Sequence, residues 1–127
     1  MERIINNINK KIILNIKEPG IYSMGNQSGT GKTFLINMLS NEEDITTITY
    51  EQEEIILLKI EEFKKSNNKL LFIDRFDMII NNKIVEKLKM LKDRYIILDY
   101  KNDDYNKLLN ARHIVLLQDR ERIILHA

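Results

Sequence analysis

Gly25-Asn26-Gln27-Ser28-Gly29-Thr30-Gly31-Lys32-Thr33 is the stretch on which the fold of this chain turns. A mostly apolar run, Ile21-Tyr22-Ser23-Met24, leads into it, and Phe34-Leu35-Ile36-Asn37-Met38-Leu39 follows with a helix-like pattern. Strand, glycine-rich loop and helix in that order suit a bound phosphate. A helix N-terminus offers unpaired N–H groups and the positive end of the helix dipole. Gly29 and Gly31 permit φ > 0, so the backbone can close around an anion. Lys32 can reach β- and γ-phosphates, and the Thr33 hydroxyl suits Mg²⁺, a hard ion that keeps most of its waters. The plainer alternative is a glycine-rich turn with a lysine nearby; the strand and helix on either side argue against it.

Gly29-Thr30-Gly31-Lys32-Thr33 resembles the Walker A motif of P-loop NTPases. The full pattern, Gly-x-x-x-x-Gly-Lys-Thr, places its first glycine where this chain has Asn26, with Gly25 one position early. Asparagine tolerates left-handed backbone better than most residues. The resemblance implies a nucleotide site built from Asn26, Gln27, Ser28, Gly29, Thr30, Gly31, Lys32, Thr33 and Phe34, with ATP and Mg²⁺ as cofactors.

With 127 residues the chain has room for one core, hence a single domain over 1–127. Charged residues make up 31% and hydrophobic residues 43%, an ordinary balance for a water-soluble chain. A formal net charge of +1 supplies no global field for nucleic acid. The absence of cysteine excludes disulfides, thiolate zinc sites and a cysteine nucleophile. No apolar stretch approaches the roughly 20 residues of a membrane span, and Met1 to Lys11 lacks the apolar region of a signal peptide. The expectation is a cytoplasmic protein. The abundance of Ile, Asn and Lys reads as base-composition bias of the source genome.

From the N-terminus, Ile4, Ile5 and Ile8 at helical spacing predict a short amphipathic helix or ordered arm over 1–11, packed on a sheet edge in preference to the alternative of a partner-binding helix. Lys11 to Ile16 reads as a strand, Lys17-Glu18-Pro19-Gly20 as a turn, and Gly20 to Met24 as the strand feeding the loop. That hairpin resembles the start of ABC-type ATPase domains, but no Leu-Ser-Gly-Gly-Gln signature follows, so that family is rejected. The loop helix runs from about Gly31 to Ser40. Ile45 to Tyr50 has strand character. A helix follows to about Lys65, with Thr49 and Gln52 at capping-box spacing and an apolar face of Ile56, Ile60 and Phe63. Lys69 to Ile73 is a continuous apolar run, the mark of a parallel strand buried on both faces. Lys83 to Lys92 reads as a helix, Tyr95 to Leu98 as another buried strand, and Asp103 to Asn110 as a short helix. His113 to Leu117 and Arg122 to His126 read as strands, the last one antiparallel.

Alternating strands and helices predict an α/β fold: a three-layer P-loop NTPase-like sandwich with a mainly parallel sheet of about five core strands. An N-terminal hairpin strand and a C-terminal antiparallel strand are added to it. Ligands of such sheets bind at the carboxyl ends of the strands, so Glu51, Asp74 and Asp99 belong on the edge that carries the phosphate loop.

Leu70-Leu71-Phe72-Ile73-Asp74 resembles a Walker B motif, which implies that Asp74 joins Thr33 in holding magnesium through its water shell. AAA+ and ABC families follow this Asp with a Glu that activates water; here Arg75 stands there, permanently charged and unable to act as a base. Hydrolysis is then poor, or Asp77 serves, or the base comes from another strand. RecA-like ATPases take the last course, and Glu51 occupies the matching position; the bland alternative is a solvated acid at a helix start. The overall resemblance is to the ASCE group of P-loop NTPases, AAA+ and RecA-like. Asp99 to Asn102 falls where AAA+ proteins carry a polar sensor, and Arg112 near their arginine finger, although Arg112, Arg120 and Arg122 read more simply as solvated charges. His113 and His126 lack metal-ligand spacing.

The resemblance therefore implies an ATP-Mg²⁺-binding NTPase with Lys32, Glu51 and Asp74 as catalytic residues and Thr33 and Asp74 as metal ligands. Hydrolysis would couple to a partner or process that the sequence does not name, and the expected partners besides nucleotide are a homo-oligomer or a partner protein. The alternatives are a nucleotide-binding accessory module with little turnover and a small-molecule kinase; for the kinase no arginine-bearing lid insertion is found.

Overall fold

Leu70, Leu71, Phe72 and Ile73 are each at most 2% exposed, and they are buried in two different cores. The computed structural model describes residues 1–25 and 32–127, with residues 32 and 33 described as backbone. The strand Leu70–Ile73 (β5) runs in a five-stranded, all-parallel sheet with order β4-β5-β6-β3-β7. Its other members are Gly20–Ser23 (β3), Ile45–Ile48 (β4), Tyr95–Leu98 (β6) and Arg112–His113 (β7). Successive side chains of a strand point to opposite faces. Leu70 and Phe72, with Tyr22 and Ile97, join the core on one face; Leu71 and Ile73, with Ile21, Ile96 and Leu98, join the core on the other.

The first core is closed by the helix Lys32–Leu39 (α1) and by a second sheet. That sheet has order β1-β2-β9-β8, from Glu2–Asn6 (β1), Lys11–Asn15 (β2), Val115–Gln118 (β8) and Arg122–His126 (β9). The second core is closed by Glu53–Lys65 (α2), Asn82–Lys89 (α3) and the short helix Tyr105–Leu109 (α4). The parallel sheet is thus the middle layer. Among the described residues no helix is long and apolar enough to cross a membrane.

The order of strands locates a crevice. The chain leaving β3 passes by α1 over one face to β4, at the far edge. The chain leaving β6, the neighbour of β3, passes by α4 over the other face to β7. Where adjacent strands send their connections to opposite faces, a cleft opens at their carboxyl ends.

Several expectations are corrected. Met1 to Lys11 is not a helix: β1 pairs antiparallel with β2 through a turn in which the Asn7 side chain accepts the Asn9 N–H at 3.1 Å. Only Ile5 of the three isoleucines is buried, and Ile4 and Ile8 face outward at 59% and 101% exposure, so the helical spacing was coincidental. The predicted hairpin of Lys11–Ile16 with Gly20–Met24 does not form, because β2 and β3 lie in different sheets. The expected strand over 113–117 divides into β7 and β8, one in each sheet, with Ile114 fully buried at the crossing. β9 pairs antiparallel with β8, as expected, but also parallel with β2. Thr49 does not cap α2; Gln52 stands at the N-cap without a side-chain hydrogen bond, and Glu53 and Glu54 face the helix dipole instead. Asn81, read as a chain break, caps α3 by accepting the Ile84 N–H at 2.9 Å.

Candidate functional site

The strand ends beside the crevice are held by ladder hydrogen bonds that run past the strands themselves. Asp74 N–H donates to Ile48 O at 2.9 Å, Asp99 N–H to Ile73 O at 2.9 Å, and Met24 N–H to Leu98 O at 3.1 Å. Asp74 and Asp99 follow the paired ends Ile73 and Leu98 of adjacent parallel strands, so their carboxyl groups meet and share a hydrogen bond. Burial pushes the Asp74 carboxyl above the ordinary carboxylate range, and the hydrogen bond and charge of Asp99 push the same way; the Arg75 N–H and guanidinium oppose them. Two carboxylates this close favour either a shared proton or a cation.

Asn26, Gln27, Ser28, Gly29, Thr30 and Gly31 lie outside the described residues, as do the Lys32 and Thr33 side chains. What is described are the two ends of this stretch. Gly25 is buried with φ 60°, a left-handed conformation that favours glycine. The added Cβ of another residue would lie 3.5 Å from the His113 ring, an ordinary contact, so the backbone angle and not space is what asks for glycine. Phe34 is half-buried against the first core.

Gly25 is fixed by a network that sequence reading missed. Its N–H donates to the Ser23 hydroxyl at 3.0 Å. Ser23, 3% exposed, in turn hydrogen-bonds the hydroxyl of Tyr100, which donates to Asn106 Oδ1 on α4. Burial raises the Tyr100 pKa above its ordinary value; the neutral phenol both donates and accepts. A lone serine in an apolar strand was the available signal; nothing in the sequence ties Tyr100 and Asn106 to it. Tyr100→Phe leaves Asn106 and Ser23 each short of a buried partner and is expected to cost about 1–2 kcal/mol. Urea denaturation measures this, and an unchanged midpoint would count against the network.

Glu51 is placed differently. β4 is the edge strand, and β5 and β6 stand between it and β3. Three inter-strand spacings are about 14 Å. The Glu51 carboxylate accepts Lys59 Nζ at 2.7 Å and lines a separate cavity of about 290 Å³ with Tyr50, Ile56, Met78 and Asn81. Asp77, the other candidate base, accepts the Lys101 N–H at 3.2 Å. Arg112 sits by Gly20, at the opposite end of β3, where it pairs with Glu18 at 2.8 Å, donates to Pro19 O and stacks on Tyr22. Arg122 pairs with Asp119 at 3.0 Å. Among the described residues no group of three His, Cys, Asp or Glu side chains could hold a metal. The Asp74–Asp99 pair brings hard oxygen donors together from two adjacent strand ends. That donor chemistry fits Mg²⁺, which needs only one or two carboxylates besides water and phosphate oxygen.

No family model matches the chain, and no curated protein matches it. A chain in a solved structure described as "Model of ribosome-bound archaeal Pelota and ABCE1" is similar at 14% identity and TM-score 0.45, over 98% of this chain and 33% of that one. The present chain thus spans about a third of that chain's length. A likeness of that depth establishes neither family nor function.

Proposed function

We propose that this chain is a P-loop NTPase domain of the ASCE group that binds ATP with Mg²⁺ and works in the cytoplasm beside a partner protein or further copies of itself. One observation carries this reading. Gly25, left-handed, follows the carboxyl end of β3, and the Asp74–Asp99 carboxyl pair follows the carboxyl ends of β5 and β6, so the end of the strand that precedes the Gly25–Thr33 sequence and the two acids share one edge of the parallel sheet. In this reading the N–H groups of 26–31 and the Lys32 ammonium hold the phosphates, and Thr33 and Asp74 hold the metal. Bound Mg²⁺ supplies charge neutralisation at the β- and γ-oxygens. Asp99 accepts a hydrogen bond from, or lends charge to, whatever Asp74 holds.

Glu51 is the residue this reading would have orient water, and its ion pair with Lys59 favours a second one, a nucleotide-binding module with little turnover. Both predict tight ATP binding in Mg²⁺ by calorimetry, weakened at least about tenfold by Lys32→Ala. Equal affinity of wild type and variant would sink both. Phosphate release above the Lys32→Ala background selects the enzyme; its absence selects the module.

A further inference from the structure

Arg75 has φ 51° and ψ 44°, the left-handed region that a non-glycine residue enters at a cost of roughly 1 kcal/mol or more. Such a conformation persists where its neighbours fix it. Here Phe76 N–H donates to Asp99 O at 2.8 Å, Phe76 is fully buried, and Asp77 accepts the Lys101 N–H. With Asp74 N–H held by Ile48 O before it and these contacts after it, the turn is pinned on both sides, and glycine would satisfy it without strain. An arginine stands there instead. Its side chain is 66% exposed, and its ion pair among the described residues is a marginal one, Nε to Asp74 Oδ2 at 4.0 Å. The guanidinium thus lies beside Asp74 at the carboxyl end of β5, exposed, and among the described residues no hydrogen bond commits its five donors.

Distance sets what it can reach. β5 and β3 are separated only by β6, about 10 Å at two inter-strand spacings. An extended arginine side chain covers roughly 7 Å of that by standard bond lengths. An anion seated between the end of β3 and Asp74 falls within its reach, and guanidinium suits a terminal phosphate, which it can bind with two parallel hydrogen bonds.

We propose that Arg75, resting on the nucleotide reading above, is a specificity residue that binds the terminal phosphate in cis and makes the site select nucleoside triphosphate over diphosphate. In the ligand-free protein it lies against Asp74. With Asp74 engaged by a bound cation, the Arg75 guanidinium would be free to turn to phosphate. The position read in the sequence as a missing general base then has a positive role, recognition of the triphosphate state.

The test measures affinity for ADP and for a non-hydrolysable β,γ-bridged ATP analogue, each with Mg²⁺, by calorimetry. Wild type, Arg75→Gly and Arg75→Lys are compared. Arg75→Gly keeps the left-handed turn and relieves its strain, so it is expected to melt no lower than wild type. Wild type is expected to prefer the triphosphate analogue by about tenfold or more. Arg75→Gly should lose that preference through the analogue alone, with ADP affinity unchanged, and Arg75→Lys should restore part of it. An unchanged ratio in Arg75→Gly, equal weakening of both ligands, or a wild type without preference overturns the proposal and leaves nucleotide binding intact. A wild type that binds neither ligand overturns the nucleotide reading and this proposal together.

Discussion

Arg94→Ala is expected to destabilise the fold by about 3 kcal/mol. Arg94 stands just before β6 and reaches across to the end of α2. Its Nη1 donates to Phe63 O at 2.9 Å and Asn68 O at 2.7 Å, and its Nη2 to Lys64 O at 3.0 Å and Ser66 O at 3.1 Å. The guanidinium also lies over the Phe63 ring, 4.9 Å from its centroid. The last carbonyls of a helix have no partner within it, and the dipole there favours a cation. Truncation removes all of this at once: Phe63 O keeps the Ser66 N–H and hydroxyl, while the Asn68, Lys64 and Ser66 carbonyls lose the guanidinium. Charged hydrogen bonds contribute about 1.5–3 kcal/mol net, and the helix end and ring add to them. Arg94→Lys should recover only the charge–dipole part, about 1 kcal/mol, because an ammonium cannot fork to four carbonyls. The readout is the urea midpoint at unchanged slope; a loss below about 1 kcal/mol in the alanine variant would refute the assignment.

Asp74→Asn is expected to move stability and ligand binding in opposite directions. Asp74 in the folded protein is held above the ordinary carboxylate range, chiefly by burial and then by Asp99. The folded state therefore keeps this proton to higher pH than the unfolded chain. The stability tied to it is complete below the unfolded value and is lost as pH rises through the folded one. Asparagine carries no charge to bury, so the variant should be more stable than wild type at neutral pH, and the difference should vanish in acid. Binding goes the other way: loss of the carboxylate should weaken Mg²⁺-dependent nucleotide affinity on the order of 10–100-fold. Melting curves across pH and calorimetry with and without Mg²⁺ read the two effects. A variant less stable than wild type at neutral pH, with Mg²⁺ dependence intact, would show that Asp74 has only a structural role.

Legibility in the sequence followed burial. Leu70 to Ile73 and Ile96 to Leu98 are buried on both faces, so each of those positions had to be apolar, and the runs announced parallel strands. Ile56, Ile60 and Phe63 mark the inner face of α2 for the same reason. β1 was misread because an edge strand commits only alternate residues inward: Ile5 is buried while Ile4 is exposed, and two adjacent isoleucines suit either period. The division of β7 from β8 was invisible, since Ile114 is as apolar as its neighbours and the change of sheet happens at a single buried residue.

The amino-acid sequence by itself determined the parallel core, the strand before Gly25 and the helix from Lys32, and the placing of Glu51, Asp74 and Asp99 after successive strands. Local hydrophobic period and turn chemistry suffice for these, because they act within a few residues. Only the tertiary structure decided which of those carboxylates meet. Asp74 and Asp99 touch because β5 and β6 are neighbours in register, whereas Glu51 is held by Lys59 at the sheet edge. It also decided that β1, β2, β8 and β9 form a second sheet, and that Arg75 sits in a left-handed turn with its charge exposed. Strand order and register depend on pairings between residues far apart in the chain, and no window of sequence contains both partners.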